Sequence, residues 1–216
     1  MTIPFYVPPE QLVRDKAEYA RKGIARGRSI VALSYDEGIL ILAENPSTTL
    51  RKISEVYDRI AFAGAGRFNE FETLRKAGIR QADITGYMYS RNDVNARGLA
   101  AAFSQTLGAV FSHEPKPYEV EILLAEVGPA PGDRALFKVS YDGTVYAETD
   151  LVAIGGKADD LTTQLREGWR ENLTLEEATT LGAESFREIE GRDSEGWEAA
   201  VLSLDNGRRA FRRIEV

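Results

Sequence analysis

The stretch from Arg28 to Glu44 limits the possible folds more than any other part of the chain. Residues 29–35 are rich in β-formers, and residues 39–43 (ILILA) are apolar at every position. Asp36-Glu37-Gly38 reads as the tight turn between two strands, with Gly38 able to take a positive φ. A strand without polar alternation is buried on both faces, so this hairpin belongs inside a layered domain. What covers its two faces, and what its polar ends Arg28-Ser29 and Glu44 are for, are the questions for the rest of the chain.

The chain's 216 residues suffice for one domain with a full core. It is 43% hydrophobic and 28% charged, with no apolar run long enough to span a membrane. The first residues lack a basic region ahead of their apolar part, so no signal peptide is expected and a cytoplasmic protein is. Without cysteine there is no disulfide, thiolate metal site or cysteine nucleophile. The single histidine, His113, rules out a multi-histidine zinc site and reads as an exposed residue near a helix C-terminus. No metal or cofactor is expected. A net charge of −7 argues against nucleic acid as a partner.

Residues 1–8 carry prolines and aromatics without periodicity and read as a flexible lead. Pro9 starts a helix over 10–22, polar enough to lie on the surface, with Gly23 and Gly27 ending it. After a loop at 45–49, residues 52–57 and 59–66 read as strands, and the four strands so far as one antiparallel sheet. Residues 68–89 read as a helix. Asn92 or Asp93 caps the next one, where Leu99, Phe103, Leu107 and Phe111 follow the helical period. Strands follow at 118–127, 135–141, 144–147 and 151–154, with a hairpin turn at Asp142-Gly143. A helix follows through Leu161, Leu165 and Trp169. Another opens at Thr174, with Glu177 in the capping-box position, and runs to about Glu190. Residues 197–204 and 209–214 close the chain as a hairpin around Asp205-Asn206-Gly207. Segregated runs of strands and helices point to α+β: two facing antiparallel sheets with a helix pair on each outer side, an αββα sandwich with an extra N-terminal helix.

That layer order, together with specific residues, resembles the proteasome family, and within it the actinobacterial type of 20S proteasome α subunit. The residues are Pro9-Glu10-Gln11, EYARKGIARGRS at 18–29, AENPS at 43–47, KISEVYDR at 52–59, FNEF at 68–71, KPYEVE at 116–121 and RRAFRR at 208–213. The resemblance implies the N-terminal-nucleophile (Ntn) hydrolase fold. It divides the chain into a gate at 1–8, an outer helix at 9–27 and one sandwich domain at 28–216. Two departures stand out: the segment between Glu190 and Trp197 is short, and the chain stops at Val216 where relatives often carry a longer tail.

In the proteolytic β subunits of this family a threonine is exposed at the start of the first strand, and its own amine acts as base. The resemblance puts Arg28 at the nucleophile position, Glu44 at that of the acidic partner and Lys52 at that of the lysine. Arginine cannot attack a carbonyl, so the site reads as catalytically silent. The rival reading is a self-processing amidohydrolase using Ser29 as nucleophile, and a third is a plain scaffold ring without gating. The resemblance further implies that Lys52 pairs with the C-terminal carboxylate of a hexameric AAA ATPase activator, in a pocket lined by Gly27 and Arg67. It makes Thr2, Ile3, Pro4, Phe5, Tyr6, Val7 and Pro8 the gate. The implied partners are a homo-heptameric ring of this chain, β subunits in an α7β7β7α7 particle, and unfolded protein substrates, in catabolism dependent on the ubiquitin-like tag Pup. The archaeal Tyr-Asp-Arg gate motif is absent from residues 1–8. The helix 99–111 is expected to face the β ring in part.

Overall fold

The computed structural model describes residues 8–128, 130, 133–203 and 209–216. Its elements run α1 (Pro9–Ala25), β1 (Ile30–Tyr35), β2 (Gly38–Glu44), β3 (Ile53–Tyr57), β4 (Ile60–Gly66), α2 (Phe68–Met88), α3 (Ala96–His113) and β5 (Val120–Val127). Then come β6 (Arg134–Val139), β7 (Val145–Glu148), β8 (Leu151–Ile154), α4 (Ala158–Gly168), α5 (Leu175–Glu190), β9 (Trp197–Ser203) and β10 (Phe211–Ile214). One five-stranded sheet has the order β10-β9-β2-β1-β8 and the other β3-β4-β5-β6-β7, and every neighbouring pair is antiparallel.

The hairpin β1–β2 shows why both faces must be apolar. Ile30, Ala32, Ile39 and Ile41 pack between the sheets with Ala61, Ala63 and Leu123 of the facing one. Their alternates Val31, Leu33 and Leu42 meet Leu161, Leu165 and Phe186 of α4 and α5. On the other outer side Phe62, Ile122 and Leu124 lie under Phe71, Leu74, Phe103 and Leu107 of α2 and α3, and Phe103 stands edge-on to Phe62 with ring centroids 5.9 Å apart. The result is the αββα sandwich, with α1 added at one end through Ala20, Ile24, Tyr141 and Phe111.

Several local expectations are corrected. The first four strands do not form one sheet: β1–β2 and β3–β4 belong to opposite sheets. The loop after Glu44, held by Asn45 Nδ2 donating to the Leu50 carbonyl at 2.8 Å, folds the second hairpin face to face over the first. Gly38 has no positive φ. It is the first residue of β2, where an added Cβ would lie 1.9 Å from the Leu202 carbonyl oxygen of neighbouring β9. Gly23 does not end α1. The helix passes through it to Ala25, and the glycine leaves room for Glu119, whose Oε2 would be 2.0 Å from a Cβ there. Asn95, not Asn92 or Asp93, caps α3, accepting from the Gly98 N–H at 2.8 Å, while Ser90 caps a short 3-10 turn at Arg91–Asp93. Trp169 stands just past α4 and donates its indole N–H to the Ser34 carbonyl at 3.0 Å.

The capping box at Thr174 and Glu177 is present, and α5 ends at Glu190. Gly143 in the turn after Asp142 has φ +86°. His113 is the exposed last residue of α3, its Nδ1 3.0 Å from the Ala109 carbonyl oxygen. The turn Asp205-Asn206-Gly207 lies outside the described residues.

Candidate functional site

The start of β1, the end of β2 and the start of β3 meet at one corner of the sandwich, and the sequence-derived positions meet there with them. Glu44, only 3% exposed, ends β2 between two guanidinium groups. Arg28 Nη1 donates to its Oε1. Arg192 reaches it from the loop after α5 with two bonds, 2.6 Å to Oε1 and 2.9 Å to Oε2, and the Glu195 N–H adds a third donor at 3.3 Å. Burial alone would push this carboxyl up. The Arg192 bonds, the Glu195 amide and the Arg28 charge outweigh that and hold it below the usual range. Arg28 also ion-pairs with Glu195 at 2.6 Å.

Lys52 lies on the other side of Arg28. Its ammonium donates to the Arg28 carbonyl oxygen at 2.8 Å. It is neither a freely solvated strand end nor paired with Glu44, whose partners are the two arginines. Burial and then the Arg28 cation push its pKa down to about 8, against the opposing pull of Glu198 and Glu44. Glu198 of β9 fixes the backbone beneath it. It is buried and accepts the N–H groups of Lys52 (2.9 Å) and Ile53 (3.2 Å), Asn45 Nδ2 (2.7 Å) and Arg213 Nη1 (2.9 Å).

Gly27 and Arg67 form an adjoining cluster. A Cβ on Gly27 would lie 2.9 Å from the backbone nitrogen of Gly66, so the segment after α1 runs directly against the end of β4. Gly66, with φ +102°, turns the chain into α2, and a side chain there would strike the Glu119 carbonyl oxygen at 1.9 Å. Arg67 Nη1 is 3.2 Å from Glu119 Oε1 and 3.9 Å from Glu70 Oε1, and Lys116 bridges the same two carboxylates at 3.1 and 2.6 Å. Glu119 is also the side chain that fits against Gly23 of α1. The described part of the chain therefore brings Gly27, Arg28, Glu44, Lys52 and Arg67 to one corner. Of the expected gate residues, Thr2 to Val7 lie outside the described residues, and Pro8 is the exposed residue preceding α1.

Ser29, the rival nucleophile, is buried and its Oγ accepts the Lys157 N–H at 3.1 Å. A cavity of 680 Å³ opens on the far side of this segment, between α1 and α4. Arg21, Glu121, Lys138, Tyr141 and Lys157 are in its lining, and Arg28, Lys52 and Arg67 are not. Among the described residues no group of acidic and histidine side chains could hold a metal, and no helix is long and apolar enough to cross a membrane.

Arg192, Glu195, Glu198, Arg213, Glu119 and Lys116 were not anticipated as site residues. Each reaches the corner through tertiary contacts. KPYEVE and RRAFRR contain three of them, without any spacing that marks a role.

The family description "Proteasome subunit" matches residues 24–203. The chain belongs to the proteasome family. It is 56% identical to "Proteasome subunit alpha" of Xylanimonas cellulosilytica, over 99% of this chain and 93% of that one. It is 58% identical to the protein of the same description from Frankia casuarinae, over 99% and 94%, and 52% identical to that from Thermomonospora curvata, again over 99% and 94%. Relatives of this closeness, matched almost end to end, put the chain among the α subunits of the family, components of the proteasome core that assemble with other subunits.

Proposed function

We propose that this chain is a non-catalytic α subunit that forms heptameric rings capping the proteolytic β rings of an α7β7β7α7 particle. The ring admits unfolded protein through a gate made of residues 1–8, and it docks a hexameric AAA ATPase against Lys52, Gly27 and Arg67. The setting is ATP-dependent protein degradation in the cytoplasm, including substrates carrying the ubiquitin-like tag Pup. The single observation that carries this reading is the fate of the nucleophile position. Arg28 has its guanidinium locked onto Glu44 and its carbonyl bound to Lys52, so the groups that serve chemistry in a threonine site here serve structure.

The same arrangement supports docking. Arg28 and Arg192 face Glu44 and Glu195, and Glu198 faces Arg213. Lys52 remains as a cation bonded to a neutral carbonyl, and an incoming carboxylate would give it a charge-assisted bond. The test is Lys52→Ala in particles assembled with β subunits. ATPase-stimulated degradation of a folded substrate is expected to fall at least tenfold, with unstimulated peptide hydrolysis unchanged. Unchanged stimulated degradation refutes the docking role.

A further inference from the structure

Strand β9 is apolar and buried from Ala199 to Leu202, yet its second residue is Glu198, 3% exposed. Taking a carboxylate out of water is costly unless its oxygens are bonded, and here both are. Oε2 accepts the Lys52 N–H at 2.9 Å and Asn45 Nδ2 at 2.7 Å. Oε1 accepts the Ile53 N–H at 3.2 Å and Arg213 Nη1 at 2.9 Å. Arg213 comes from β10, and its Nη2 donates to the Ile53 carbonyl at 2.7 Å.

Folding alone does not ask for this. β3 is an edge strand of its sheet, and the outward backbone groups of an edge can be left to water or covered by a loop. Here three backbone groups of Lys52 and Ile53 are bound by side chains of the opposite sheet. The Lys52 carbonyl is held as well, by the Gly64 N–H at 3.1 Å. At the far end of the side chain, the ammonium is held by the Arg28 carbonyl at 2.8 Å. Fixing both ends of a flexible stem removes freedom that an arriving carboxylate would otherwise have to freeze. The charged groups around the ammonium are Arg28 ahead of β1, Glu44 of β2 and Glu198 of β9. Behind them stand Arg213 of β10 and, in the loop after α5, Arg192 and Glu195. Glu44 is taken up by the Arg28 and Arg192 guanidinium groups. Glu198 is the carboxylate bonded to the backbone of Lys52 itself, and its charge favours the ammonium form.

We infer that Glu198 is a positioning residue for activator docking: with Arg213 behind it, it holds the backbone of Lys52 where the ammonium can receive a C-terminal carboxylate. This rests on the proposed function. The test is a double-variant cycle in particles assembled with β subunits, on the wild type, Glu198→Gln, Lys52→Ala and their combination. The probe is a fluorescein-labelled peptide with the C-terminal sequence of the ATPase and a free carboxylate. Its Kd is read by anisotropy across the lysine titration range, and native mass checks assembly. The amide of Glu198→Gln sets a donor against N–H groups that need an acceptor, so Kd is expected to rise about tenfold, within the range for coupled neighbours. The pH above which affinity falls should move down, because a negative charge that keeps the proton on Lys52 is gone. A residue that only braces the fold would not move it. In the Lys52→Ala background Glu198→Gln should add nothing. A Kd or a midpoint left at the wild-type value, or a loss that is equal with and without Lys52, overturns the inference and leaves docking at Lys52 standing. Lys52→Ala binding the peptide as tightly as the wild type overturns the docking reading, and the inference with it. If Glu198→Gln fails to assemble, Arg213→Gln takes its place in the cycle. A loss seen only with Lys52 present then supports the inference, and an additive or absent loss overturns it. Failure of both variants to assemble overturns it as well, since the pair then holds the domain and not the corner.

Discussion

Glu44 and Lys52 carry opposite pH signatures, although only the seven residues 45–51 separate them along the chain. Glu44 is held ionised by Arg192, Arg28 and an amide. Its folded pKa is lowered, so its contribution to stability is present above the unfolded value and is lost as pH falls through the folded one. Glu44→Gln leaves two guanidinium groups facing a neutral amide and is expected to destabilise the chain by about 3 kcal/mol at neutral pH. Urea unfolding checks this, and the gap between the two proteins should close as the solution is acidified below pH 4. Lys52 runs the other way. Its folded pKa of about 8 lies below the ordinary lysine value of 10.5, so the folded state holds fewer protons than the unfolded one between those values. Stability relative to Lys52→Met therefore rises with pH across that window. Docking has the reverse sign, because a carboxylate binds the protonated amine. Affinity of the particle for a peptide ending in the activator's C-terminal sequence should be flat below pH 8. Above it, affinity should fall by up to about tenfold per unit, measured by fluorescence anisotropy. A flat profile to pH 10 would mean that Lys52 does not contact the carboxylate.

At the scale of elements, α1 makes the sharpest prediction, because propensity and packing disagree. Glycine in a helix interior costs about 1 kcal/mol relative to alanine, so propensity alone has Gly23→Ala stabilising. The structure has Glu119 where the methyl group would go, and Glu119 is tied to Arg67 and Lys116. Gly23→Ala is therefore expected to loosen α1: amide exchange over residues 9–25 should speed up, while β1 and β2 stay protected. The same residue shows where sequence reading ends. A glycine after a polar helical run reads as a stop, because the carboxylate that needs its space is at position 119. The strands were legible, β2 from an unbroken apolar run that announces burial on both faces and β3 from polar alternation. Their assignment to sheets was not, because β3–β4 has the same pattern whether it lies beside β1–β2 or on top of it. The cap of α3 was missed by a few residues because Ser90, Asn92, Asp93 and Asn95 are all competent caps. Burial of Val94 and the bond from the Ala96 N–H to Glu126 Oε2 at 2.8 Å select Asn95. At the site, Arg28 and Glu44 stood out as the polar ends of an apolar hairpin, but their roles, and Lys52 altogether, came only through the family resemblance. Arg192, which is 148 residues from Glu44 along the chain, carries no local signal of its role.

At the scale of the whole molecule, admission of substrate and docking of an activator are separable demands, and the proposed function assigns them to different parts of the chain. Short unfolded peptides need only an open passage. Folded proteins need a motor held against the ring. Deleting residues 2–8 removes the proposed gate and leaves Gly27, Lys52 and Arg67 untouched, so peptide hydrolysis by the assembled particle should rise severalfold without any activator. The Lys52→Ala change should leave that gain intact, because a passage opened by deletion no longer depends on docking. Degradation of a folded substrate should behave differently. It is expected to stay low in the deletion combined with Lys52→Ala, since an open passage supplies no unfolding force. The readout is a pair of assays, fluorogenic peptide and folded fluorescent protein, on the two single variants and their combination. Recovery of folded-protein degradation in the combined variant would show that Lys52 acts only by opening the passage. Equal peptide rates with and without residues 2–8 would remove those residues from the gate.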